Sequence, residues 1–164
     1  MTQRHRIMAK DIQIVGLRIG RETYGIPIAL VREIVRVPDI TAVPNTQEYV
    51  EGVINLRGKI VSVMDLRKRF GESAVENNKK NRIVVVEFEC RTVGLIVNSA
   101  SEVLKISSSE IAPPGSVFID GEVDYVTGVA KLGERLIILL DLSKVLKSGD
   151  SRHADETVSP VASL

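Results

Sequence analysis

Histidine, cysteine and paired carboxylates are what a catalytic reading needs first, and this chain offers few of them. His5 and His153 both lie in stretches that read as tails. The body therefore has no histidine to act as a general base or a metal ligand. Cys90 is the single cysteine, so no internal disulfide forms, and with no CxxC pair or His/Cys cluster there is no zinc set. It sits where a hairpin should turn, which suits an inert turn or strand residue better than a nucleophile. Gly16, Gly20 and Gly25 are too widely spaced to cradle a phosphate or dinucleotide. Asp65 and Asp141 could be paired acids, but each opens the same strand-to-helix junction, where an Asp caps the free first-turn amides. No catalytic constellation results, and neither a cofactor nor a metal is expected.

Charged side chains offer binding instead. Arg67-Lys-Arg69 and Lys79-Lys-Asn-Arg82 are basic clusters that read as a solvated helix face and a loop. Glu33 and Arg57 are less ordinary. Glu33 lies among β-branched residues, and Arg57 sits at a hairpin tip with its donors held outward. As a surface ion pair they would contribute little; facing a partner they would set register and specificity.

The element that positions Arg57 is the stretch from Gly52 to Gly71. Val53 to Leu56 and Lys59 to Met64 have the Val/Ile density of strands, folded back at Leu56-Arg57-Gly58-Lys59. Asp65 then starts a short helix that Gly71 ends in the left-handed conformation. Upstream, Ile12 to Ile19 alternates as a half-buried strand, Gly20-Arg-Glu turns, and Thr23 to Ile26 returns. Pro27 marks an edge or a strand end. Ile28 to Val37 fits a turn followed by a strand, Pro38 and Pro44 bracket a loop, and Asn45 to Glu51 reads as a capped helical turn or two.

A repeat organises the whole. Tyr125 to Leu146 lies on Tyr49 to Phe70 without a gap, and Ile83 to Ile106 lies on Ile14 to Val37, placing Thr92 on Thr23, Gly94 on Gly25 and Glu102 on Glu33. Two copies of one β unit follow, each of about five short strands closed by a helix, and each too small to stand well alone. Shared positions are best explained by the fold: Gly52 and Gly128 start the hairpin, and Asp65 and Asp141 cap the helix. The hairpin tips differ. Gly133-Glu134 suits a type II′ turn and Arg57-Gly58 a bulged type I or a type I′ turn, and only the first copy has Arg at its tip.

Composition narrows the function classes. The 164 residues carry 22 basic and 21 acidic side chains, a net charge of +1, with 4% aromatic residues and no Trp. Neither a polyanion-attracting field nor base-stacking platforms result, so nucleic acid is a poor partner. No apolar run reaches the length of a bilayer span, and the N-terminus has no signal core, so a cytoplasmic protein without direct membrane insertion is expected.

The set Val53-Ile-Asn-Leu-Arg-Gly-Lys-Ile-Val, Asp65-Leu-Arg, Tyr24-Gly-Ile, Val31-Arg-Glu-Ile, Val93-Gly-Leu-Ile-Val, Ser101-Glu-Val-Leu and Tyr125-Val-Thr-Gly-Val resembles the CheW family of bacterial chemotaxis coupling proteins, over residues 12 to 147. The resemblance implies an all-β fold of two intertwined five-stranded SH3-like β barrels related by the internal repeat, with short helices. It implies flexible tails over 1–11 and 148–164 around one CheW-like domain over 12–147, its units spanning about 12–71 and 81–147, with strands open to exchange between them. It further implies a non-enzymatic adaptor that joins the cytoplasmic tip of transmembrane chemoreceptors to the regulatory domain of the histidine kinase CheA in signalling arrays. The family's partner-binding positions fall on Val31, Glu33, Arg57, Gly94 and Val103. Ser62 departs from the family, which often has Pro there. A scaffold for another receptor–kinase pathway, such as surface motility, is the alternative; the chain has no room for the kinase's own catalytic domains.

Overall fold

The computed structural model describes residues 10–44, 46–72, 77–113 and 125–147. Both expected tails fall outside this set except at Lys10 and Asp11, and Asp11 already pairs with Ser107 in a strand. The strands are β1 (Asp11–Ile19), β2 (Glu22–Pro27), β3 (Val31–Arg36), β4 (Val50–Leu56), β5 (Lys59–Asp65), β6 (Arg82–Phe88), β7 (Arg91–Val97), β8 (Ser99–Ser107), β9 (Ile111–Ala112), β10 (Val126–Leu132) and β11 (Arg135–Leu140). Two short helices follow β5 and β11: α1 (Leu66–Arg69) and α2 (Leu142–Lys147). The stretch before Val50 differs from expectation. It is a turn closed by the Val50 amide on the Gln47 carbonyl, and Val50 and Glu51 are drawn into β4, where Val50 pairs with Met64.

The fold is mainly β, with two SH3-like sheets in the orders β8-β1-β2-β11-β10-β9 and β3-β6-β7-β5-β4. These sheets do not divide the chain at the loop after Gly71. The five-stranded sheet is built from residues 31–97, while the six-stranded one combines 11–27 with 99–140. The repeat units have therefore exchanged their first hairpins. β1–β2 leaves its own unit to lie parallel to β11 (Tyr24 opposite Ile138), and β6–β7 leaves to lie parallel to β5 (Val93 opposite Ser62). Neither barrel is complete without strands from both halves of the repeat.

Register repeats as faithfully as sequence. The bulge between Val31 and Glu33 on β3 has its match between Ala100 and Glu102 on β8, and the bulge before Gly52 in β4 has its match before Gly128 in β10. The two-residue β9 corresponds to an isolated bridge from Thr41 to Val53, which is why one sheet has a sixth strand. The shared glycines belong to this crossing. A Cβ on Gly52 would overlap the Thr41 carbonyl oxygen, and one on Gly128 would lie 2.9 Å from that of Ala112.

Alternation sorts the apolar side chains into three cores. Ile54, Val61, Val63, Ile83, Val85 and Ile96 fill one barrel, and Ile14, Leu104, Ile106, Ala130 and Ile137 the other. The third and largest lies between the barrels and draws on both sheets, including Val15, Leu17, Ile26, Met64, Val84, Val86, Leu95 and Leu140. Tyr24, Phe70 and Tyr125 stack against it, at centroid spacings of 5.3 and 4.6 Å.

Candidate functional site

Residues directly opposite on neighbouring strands share a face. Ile34 of β3 lies opposite Val84, and Val103 of β8 lies opposite Val15, so both continue the face of the inter-barrel core. They are nevertheless 38% and 57% exposed, because β3 and β8 are the edge strands of their sheets. The bulge in β3 is what keeps Val31 and Ile34 on one face although three positions separate them. Val31 packs against the same core, and the turn Ile28–Leu30 lies against both β1 and β6, as β8 does. The edges thus converge on the central strands, leaving an open apolar seam between the barrels.

At the mouth of the five-stranded barrel the phase is opposite. Glu33 lies across from Val85, a residue of the barrel's own core, and its carboxylate pairs with Arg57. Arg57 is on the β4–β5 tip, where φ values of 52° at Arg57 and 86° at Gly58 define a type I′ turn, with the Gly58 amide donating to Asn55 Oδ1 at 2.8 Å. The Glu33 hydrogen bond, followed by its charge, raises the Arg57 pKa further above its ordinary value. The Arg57 side chain is 70% exposed and that of Glu33 29%. With the neighbouring Arg32–Glu87 pair and Lys59 they line a cavity of about 320 Å3.

Of the residues singled out from the sequence, the structure brings Glu33 and Arg57 together at this mouth and places Val31 and Val103 on the seam. Gly94 belongs to neither place. It is buried in β7 between β5 and β6, and a Cβ there would stand 2.8 Å from Ile83 Cγ2. Its repeat partner Gly25 makes the equivalent approach to Ile14. Gly94 therefore offers no side-chain surface; it lets two strands and an isoleucine close up.

The tips differ as expected, with Arg57 at the first and Gly133-Glu134 at the second. The second hairpin nevertheless carries a cation of its own: Arg135, one residue beyond its tip, donates to both oxygens of Glu102 at 3.3 and 3.1 Å. The pair mirrors Glu33–Arg57, and the Arg135 hydrogen bond holds the Glu102 carboxyl below its usual pKa. The alignment of Glu102 on Glu33 was the signal for it. One expectation is corrected: the Arg67–Arg69 cluster is not a solvated face. Arg67 is 2% exposed, forked onto Asp65 at 3.0 and 2.9 Å, with Asn77 at 3.0 Å as a further acceptor. Arg69 lies over the Tyr49 ring, 5.2 Å from its centroid. Asp65 and Asp141 do cap: each accepts the amide two residues on, at 2.9 and 3.0 Å.

Cys90 lies in a two-residue turn with Glu89, both at positive φ, and is exposed. Among the described residues no three His, Cys, Asp or Glu side chains are grouped to hold a metal ion, and no helix is long and apolar enough to cross a membrane.

Exchanged hairpins, a shared core and a seam left open by the described residues define a double-barrel β protein. The family model of the CheW-like domain matches residues 13–150. Over 137 residues the chain is 36% identical to the chemotaxis protein CheW of Klebsiella aerogenes, covering 84% of this chain and 82% of that one. The chemotaxis protein CheW of Bacillus subtilis is 34% identical over 149 residues, covering 90% and 94%. The crystal structure of the scaffolding protein TtCheW from Thermoanaerobacter tengcongensis matches with a TM-score of 0.78 and 38% identity, over 85% of this chain and 95% of that one. The chain belongs to the CheW-like domain family.

Proposed function

We propose that this protein is a non-enzymatic adaptor of bacterial chemotaxis that couples transmembrane chemoreceptors to the histidine kinase CheA. One observation carries the reading: the inter-barrel core runs out onto the edge strands as exposed Ile34 and Val103. An apolar seam of this kind takes a helix by its apolar stripe, and the receptor's helical cytoplasmic tip is the occupant. The mouth with Glu33 and Arg57 is the contact for the kinase regulatory domain, with Val31 and Val103 on the receptor side and Gly94 acting through packing. The relatives' names, chemotaxis protein and scaffolding protein, support the same role. Such an adaptor works in the cytoplasm and reaches the membrane through its partners. It regulates by geometry, favouring one arrangement of receptor and kinase through differential contacts.

The test is binding of the purified chain to two immobilised baits, the regulatory domain of a CheA kinase and a chemoreceptor cytoplasmic fragment from the same organism. Both should be retained. Arg57→Glu should weaken the kinase bait, and Val103→Asp the receptor bait, with circular dichroism unchanged. Retention of neither bait overturns the proposal.

A further inference from the structure

The seam is not purely apolar. Two positions beyond Ile34 and Val103, on the same face of each edge strand, stand Arg36 and Lys105. No bulge intervenes in either stretch, so the face assignment carries over. Both side chains are exposed, and neither forms an ion pair among the described residues. The alignment that places Glu102 on Glu33 also places Lys105 on Arg36, so each wall of the seam repeats one outward order, aliphatic then cationic.

The surroundings do not account for this order. Arg36 lies directly opposite Arg82, a like-charge pairing that weakens a sheet. Arg82 is held by the Lys79 and Asn81 carbonyls at 2.7 and 2.8 Å, which fixes a second cation beside the first. Lys105 lies opposite Gln13, and Asp11, the carboxylate on that face, lies one same-face pair further along, opposite Ser107. Among the described residues paired across these rim strands on this face, Arg36, Arg82 and Lys105 thus stand against the carboxylate of Asp11.

We infer that Arg36 and Lys105 are specificity residues of the seam, each reading a carboxylate beside the apolar stripe of the docked helix. This rests on the helix-binding reading of the seam given above and adds the chemistry of the occupant: an amphipathic helix with acidic flanks. Charges on the rim of an interface act mainly on encounter and on the choice of partner, while the apolar contact holds the complex. An apolar helix with basic flanks is rejected by the same two side chains.

The experiment is calorimetric titration of the full chain with a soluble chemoreceptor cytoplasmic fragment at low and high salt, in parallel with the CheA regulatory domain. Arg36→Glu and Lys105→Glu should each weaken receptor binding about three- to tenfold at low salt. In the double variant added salt should no longer weaken receptor binding and should instead strengthen it by screening the new repulsion, and kinase-domain affinity should stay within about twofold. Val103→Asp serves as the reference for the seam itself. If both charge reversals leave receptor affinity within about twofold while Val103→Asp abolishes it, the cationic role is overturned and the seam reading stands. If Val103→Asp has no effect either, the seam reading fails and this inference with it. Equal weakening of both partners also overturns it, since the effect would then be on the whole molecule.

Discussion

Arg67, Lys68 and Arg69 are consecutive cations that meet three different fates. Lys68 bonds Glu51 at 2.7 Å near the surface, Arg69 lies over an aromatic ring, and Arg67 is enclosed. Sequence could not separate them, because the acceptors that enclose Arg67 include Asn77 and Asn81, 10 and 14 residues further along. A buried ion pair is not strong evidence of net stabilisation, but breaking one leaves an uncompensated charge, at about 3–5 kcal/mol. Arg67→Met should therefore lower the urea-unfolding stability by about 3 kcal/mol. Adding Asp65→Ala should cost much less than its effect alone, a coupling that a double-mutant cycle measures. Asp141→Ala, which removes the cap and the Ser143 hydroxyl's bond to it but leaves no buried charge behind, should cost about 1–2 kcal/mol. Arg57→Glu should leave the unfolding midpoint in place.

Tyr24 titrates with the fold. Burial first, then Tyr125, Glu22 and Glu72, raise its pKa above the ordinary 10.0, so the folded state favours the neutral ring. Its contribution to stability is intact below pH 10 and is lost as pH rises through the raised value. Lys68, raised chiefly by its Glu51 bond, behaves alike: its contribution is present below 10.5 and lost above the folded value. Urea midpoints should be flat from about pH 8 to 9.5 and fall beyond, with a shallower fall in Tyr24→Phe.

At the scale of elements, the β4–β5 hairpin, the capped α1 and the strand β3 were legible because each is specified by neighbours in sequence, while the tip stayed open between two turn types until the φ values of Arg57 and Gly58 decided for type I′. Gly94 was not. A glycine quoted for partner contact and a glycine needed for close packing look the same until the residue over it is known, and Ile83 comes from the adjacent strand β6. Gly94→Ala should destabilise the protein by about 1–3 kcal/mol through overpacking. Ile83→Ala, which removes the Cγ2 of that contact, should cost less in the Gly94→Ala background than alone, and partner binding should fall only in proportion to the unfolded fraction. Binding lost at full stability would give Gly94 a contact role instead.

For the whole molecule, the repeat was readable from the residues, whereas the intertwining of the barrels was expected only through the family resemblance, and which hairpins exchange was legible in neither. β1–β2 and β6–β7 carry the same local pattern whichever sheet they complete, and only the parallel pairings to β11 and β5 decide the matter. A fragment ending at residue 72 would contain β1–β2 without β11, and β5 without β7. It should stay unfolded, and a second fragment from residue 77 should restore β-sheet circular dichroism when the two are mixed. Independent folding of either fragment would show that the exchange is dispensable.

Exchange also puts the five-stranded barrel entirely inside the chain path of the other. Among the described residues the chain enters through β1 and leaves through α2, whose Leu142, Val145 and Leu146 sit in the inter-barrel core, and residues 31–97 form a loop-like excursion from the six-stranded sheet. A module attached ahead of β1 would pull on the six-stranded sheet, and one attached after α2 on the core that both sheets share. Tension between those points would load β1 and, through α2, the shared core, while Glu33 on β3 and Arg57 on the β4–β5 tip lie on neither loaded element.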